Sequence, residues 1–231
     1  MKRPDYDRNT VWKRYCFHRF SGLFLILIVF SKTLASQESR SFQVWNTNSI
    51  SGHFNNKDLF SISEKIQYPL AGNASLIKYG EIQYRHRFNP FLSWGSGFRL
   101  VRSIDGDFVL NEQRPMVFAI FDKTIDNFKI TLLNRMEYRF LDKSAGHFRN
   151  VEKLDLISPT IPYTNLGLFC STEFFTKLNQ ENLHLIRYYA GIRNTNSKHF
   201  DIRLFYAFQK GKILSDWQAS DVIGLNFGYI L

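Results

Sequence analysis

The sequence predicts an all-β fold, an antiparallel transmembrane β-barrel of about 10–12 strands. Three observations point there. Residue character alternates with a period of two along most of the chain, which marks strands with two unlike faces. The alternating runs approach ten residues and are separated by turns, the pattern of a membrane barrel and longer than the ~5–6 residues usual in soluble sheets. Aromatic residues make up 16% of the 231, and Tyr and Trp crowd the apolar faces, as interfacial girdles require.

The first 35 residues read as an export leader. Lys2, Arg3, Arg8, Lys13, Arg14 and Arg19 precede the apolar run "FSGLFLILIVF", and "SKTLASQES" follows. A basic start, an apolar stretch of about 11 residues and a small-residue exit form a secretory signal peptide, with cleavage expected after Ala35. The apolar stretch is about half the ~20 residues of a spanning helix. Residues 36–231 are then a single barrel domain. The chain carries a net charge of +10, but the leader holds seven Lys/Arg and two Asp/Glu, leaving 23 basic against 18 acidic side chains, a net +5. The basic excess belongs largely to the leader, so nucleic acid is not an expected partner. With Cys16 in the leader, Cys170 stands alone and no intramolecular disulfide is available.

Along the mature chain, "EIQYRHRF" sets Glu81, Gln83, Arg85 and Arg87 against Ile82, Tyr84, His86 and Phe88. "LSWGSGFRL" sets Ser93, Gly95, Gly97 and Arg99 against Leu92, Trp94, Ser96, Phe98 and Leu100. In "FKITLLNRMEYRFL", Arg135, Glu137 and Arg139 face away from Met136, Tyr138 and Phe140. "IRYYAGIR" and "DIRLFYAFQ" repeat the pattern, and "VIGLNFGYIL" ends the chain with Ile223, Leu225, Phe227 and Tyr229 opposite Gly224, Asn226 and Gly228. This last strand is expected to close the sheet against the first. With "FNPF", "DKTIDN", "SPTIPYTN" and "NTNSKH" as turns on the periplasmic side, ten strands fit from Leu59 onward. "SFQVWNTNSIS" is left unplaced, and an even strand number is expected because both termini of such barrels usually share one side.

Alternation alone does not say which face meets water. A soluble sheet packs its apolar face inward, which would make a secreted barrel that binds an apolar ligand. A membrane barrel inverts the faces and encloses the charges. The mixture of Arg and Glu on each polar face, together with the leader, favours the second.

At "NRMEYR" the chain also resembles the bacterial outer-membrane family known as domain of unknown function 2490. The matching motifs, in order, are Val44-Trp45-Asn46, Glu112-Gln113-Arg114-Pro115, Asn134-Arg135 with Glu137-Tyr138-Arg139, and Phe148-Arg149-Asn150. Pro162-Tyr163 with Glu173, and Arg187 with Ala190-Gly191, complete the set. The resemblance covers about 40–231. It implies an outer-membrane barrel and no known activity. The chain ends on Leu231 where such proteins often carry Phe.

The polar faces supply the candidate site, a lumen charge lattice of Arg85, Arg87, Arg99, Glu112, Arg114, Arg135, Glu137, Arg139, Arg149, Glu173 and Arg187, with Glu81 beside them. The planar, five-donor guanidinium suits carboxylates and phosphates. Opposite charges on neighbouring strands pair. Such a lattice either cross-braces a filled lumen or lines a narrow polar passage that favours anions. Gly95 and Gly97 are expected to leave room for long arginines on adjacent strands.

Enzymatic chemistry is not expected, although a lipid-modifying barrel remains an alternative. A hydrolase needs a serine or cysteine beside a histidine that a carboxylate orients, and no such set is evident around His53, His86, His147, His184 or His199. No His or Cys spacing suits a metal, and no cofactor is expected. The partners implied are outer-membrane lipid, the outer-membrane assembly machinery and, for a pore, small solutes.

Overall fold

A computed structural model describes residues 40–71, 75–178, 182–194, 197–213 and 216–231. The expected leader lies outside the described residues. Eleven strands run in chain order: β1 (Ser41–His53), β2 (Asp58–Ala71), β3 (Leu76–Arg87), β4 (Leu92–Asp105), β5 (Phe108–Ile125), β6 (Phe128–Leu141), β7 (Ser144–Ile157), β8 (Leu166–Lys177), β9 (Asn182–Asn194), β10 (Phe200–Ile213) and β11 (Asp216–Ile230). Each pairs with its chain neighbour in an antiparallel meander, and β1 meets β11 to close the barrel.

The closing pair corrects two expectations. β1 and β11 are parallel, with Ser41 beside Ser220 and Ser51 beside Ile230. The barrel is therefore mostly rather than wholly antiparallel. The unplaced "SFQVWNTNSIS" is β1, which pairs β2 on its other edge. An up-and-down meander of odd strand number closes parallel by parity, so no twelfth strand is needed and the expectation of an even number falls.

Local chemistry sets several turns. Asp126 and Asn127 both adopt positive φ, 49° and 68°, as a two-residue hairpin of the primed type requires, and Asp and Asn tolerate that region. Gly106 takes φ 56° in the short turn between β4 and β5. The connections after β1, β3, β5, β7 and β9 share a rim with the end of β11, so the four turns expected on one side do lie together.

The faces are sorted as a membrane barrel demands. Ile50, Ile62, Ile82, Leu100, Val117, Met136, Leu204 and Leu225 are exposed on the outer wall. Aromatic clusters flank this band. Phe60 and Tyr84 (5.0 Å between centroids) with Trp94 lie towards the rim that bears the end of β11. Tyr138 with Phe140 and Phe148 (4.5 and 4.7 Å) lies towards the other rim. His86 belongs to the first cluster: its Nδ1 lies 2.6 Å from Asp58 Oδ1, which also accepts from Tyr84 Oη at 2.7 Å. An apolar, aromatic-rimmed exterior around a polar interior runs against the soluble ligand-binding alternative.

Candidate functional site

The inner face is set by register. Glu81 lies opposite Arg99, Arg99 opposite Arg114, Glu137 opposite Arg149 and Glu173 opposite Arg187. Because each is separated from its inward neighbours by one outward residue, the strands present these charges on a common inner face.

Four groups of ion pairs result. Glu81 binds the Arg99 guanidinium, which also lies 4.4 Å from the Tyr79 ring centroid. Glu112 is held from two strands: Arg114 donates through Nε and Nη2, both at 2.7 Å, and Arg139 donates through Nη2 at 2.8 Å and through Nε. Glu137 binds Arg149 and has Arg135 Nε 3.5 Å from its second oxygen. Glu173 accepts from Tyr189 Oη at 2.9 Å and from Arg187 Nη1 at 3.5 Å, with Lys153 Nζ at 4.0 Å.

Rings knit these groups together. Trp45, from β1, has Lys65 Nζ 3.7 Å and Arg187 Cζ 4.9 Å from its centroid. Phe175 lies between Arg187 (4.8 Å) and Arg149 (5.0 Å). Cation–π contacts of this kind strengthen when desolvated, and here they are: Trp45 is 0% exposed and Glu137 1%. The middle of the barrel is packed with side chains. Gln43 accepts a 2.8 Å hydrogen bond from Trp45 Nε1, so the indole N–H is satisfied.

Nine of the eleven expected lattice residues sit in this network. Arg85 and Arg87 do not: they lie nearer the rim that bears the end of β11, with Arg85 beside Gly95 and Arg87 exposed beside Ser93. The alternation that suggested them runs to the strand end, whereas the network stops before it. The glycine expectation is also corrected. A Cβ on Gly95 would strike the Phe118 ring and the Tyr84 carbonyl, and one on Gly224 would strike the Phe205 ring. On Gly97 it would meet the Ile82 carbonyl, Gln83 and Met116. These glycines admit aromatic and apolar side chains, not arginines. Sequence reasoning left Trp45, although quoted in a motif, and Lys65 out of the lattice, although "SFQVWN" and "SISEKIQ" both alternate and carried the signal.

The protein-family model described as "Protein of unknown function (DUF2490)" matches residues 42–220. The chain belongs to this family. DUF2490 is a bacterial outer-membrane family, and the chain is an outer-membrane β-barrel. The motif residues Trp45, Glu112, Arg114, Arg135, Glu137, Arg139, Arg149, Glu173 and Arg187, scattered over six strands, all sit in the lattice. No curated protein matches the chain. Among solved structures, a "KdgM porin in complex with disordered oligogalacturonate" is similar at 17% identity and a TM-score of 0.44, over 70% of this chain and 80% of that one. Likeness at that level says nothing about a ligand of this DUF2490 protein. Among the described residues no group of three or more His, Cys, Asp or Glu is placed to hold a metal ion.

Proposed function

We propose that this DUF2490 protein is a structural outer-membrane barrel whose lumen is closed at mid-height by its Arg/Glu lattice and Trp45. The observation that carries the reading is the burial of Glu137 among Arg149 and Arg135 while Trp45 fills the space beside Arg187. A carboxylate lining an open aqueous channel would be wet. Burial of this kind is tolerable only with partners, and the partners brace four pairs of neighbouring strands at once. The leader over 1–35 and handling by the outer-membrane assembly machinery belong to the same proposal.

Planar-bilayer recording tests it. Wild-type protein is expected to give no steady conductance, and Trp45→Ala to give one. Steady wild-type current would replace the closed barrel with the second reading, a narrow passage. That reading is favoured by the surplus of lumen cations, Lys65 and Arg187 around Trp45 among them, and it predicts a reversal potential biased towards anions.

A further inference from the structure

The outer wall carries a pair of cations that the lattice does not use. Lys78 on β3 and Arg102 on β4 are register partners. Both are exposed and both face outward, two and three residues from the strand ends at the rim opposite Leu231. Among the described residues neither side chain has an ion pair or a hydrogen bond. Like charges directly opposite one another on a sheet repel, and the wall of a membrane barrel disfavours cations.

Two carboxylates, Asp142 and Glu64, line the same furrow, and each is engaged by an asparagine. Asp142 Oδ2 accepts from Asn111, from its backbone N at 3.1 Å and its Nδ2 at 3.2 Å. Glu64 accepts from Asn48 Nδ2 at 3.0 Å.

A furrow leads away from the two cations. Its upper part is lined by Lys78, Arg102, Ile66, Leu100 and Phe140. It continues past Gly80 and Leu100 between Ile62, Ile82 and Phe98. Gly80 is the floor where the two stretches meet, and a Cβ there would touch nothing within 4 Å. The wall is thus charged at headgroup height and hollow and mostly apolar below it, with Glu64 opposite Gly80 as the acidic exception.

The geometry points to a binding site for an anionic, phosphate-bearing lipid. Arg102 and Lys78 hold the phosphate, the guanidinium as a two-donor fork and the ammonium as a point charge. One acyl chain lies in the furrow across Gly80. Charge complementarity selects this occupant: the pair lacks a counter-ion, and a lipid phosphate supplies one at the depth where juxtamembrane cations meet anionic headgroups. The site is on the outer wall and does not depend on whether the lumen conducts.

Native mass spectrometry of the intact barrel tests it, with phosphatidylglycerol and phosphatidylcholine as probes, inorganic phosphate as competitor and heat-modifiability as the folding control. Wild type is expected to retain phosphatidylglycerol roughly tenfold over phosphatidylcholine. Lys78→Gln with Arg102→Gln is expected to erase that preference. Gly80→Leu keeps both cations, fills the furrow and is expected to weaken retention of both lipids. Equal preference in wild type and the double variant overturns the site. So does displacement by inorganic phosphate, which makes it a site for a free anion. A dimer lost in the same variants overturns it in favour of a second copy of the chain.

Discussion

Glu137 on β6 and Arg149 on β7 are register partners, joined by an ion pair inside the barrel with both side chains almost wholly buried. Neither has water to fall back on. The energetic logic of the lattice follows: a buried pair contributes little net stability, but breaking one is costly. Glu137→Gln is expected to destabilise the barrel by about 3–5 kcal/mol, because it strands Arg149 and Arg135. The double variant Glu137→Leu with Arg149→Leu is expected to lose less than the sum of the two singles. Urea unfolding in micelles measures both. Additive losses would mean that the two side chains do not share a pair.

Phe205 and Gly224 face one another across β10 and β11. The ring occupies the space a Cβ would need, so Gly224→Ala overpacks the lumen and is expected to cost ~1–3 kcal/mol. Adding Phe205→Leu is expected to recover part of that loss. No recovery in the same unfolding experiment would place the strain elsewhere.

The parallel seam is open to a direct chemical test. Asn46 and Leu225 are register partners on β1 and β11, and both face outward. In a Cys170→Ser background, Asn46→Cys with Leu225→Cys is expected to form a disulfide that holds the barrel closed on boiling. The control Asn46→Cys with Ile223→Cys, offset by two residues, is expected to crosslink poorly. The reverse order of efficiency would shift the register of the seam.

Most of the wall was legible because β3, β4, β6 and β9–β11 alternate cleanly and end at Asp, Asn or Gly turns. β1 was not, because Asn46 and Asn48 place polar side chains on its outward face too, where Nδ2 of Asn48 donates to Asn46 Oδ1 at 2.9 Å. With both faces polar, the strand lacks the contrast on which the reading depends. Strand parity was also beyond reach, since the closing partner of β1 is fixed by three-dimensional closure and not by any local pattern. The lattice was read from the same alternation that built the strands. Its limits were not, because alternation carries Arg85 and Arg87 to the rim without saying where packing ends. Trp45, quoted as part of a motif, was left out of the lattice for a related reason: aromatics on such strands are expected to face lipid, and this one fills the lumen.

The opposite placement of two tryptophans tests the central claim most directly. Trp45 lies inside the lumen at 0% exposure, and Trp94 stands half-exposed on the outer wall beside His86 and Tyr84. The mature protein in vesicles of brominated lipid gives the readout. In a Trp217→Phe background, replacing Trp94 with Phe is expected to remove most of the lipid-quenchable fluorescence, and replacing Trp45 with Phe to leave that fraction unchanged. If Trp45 is quenched as strongly as Trp94, the two faces of the sheet have been assigned the wrong way round and the buried charge lattice does not exist.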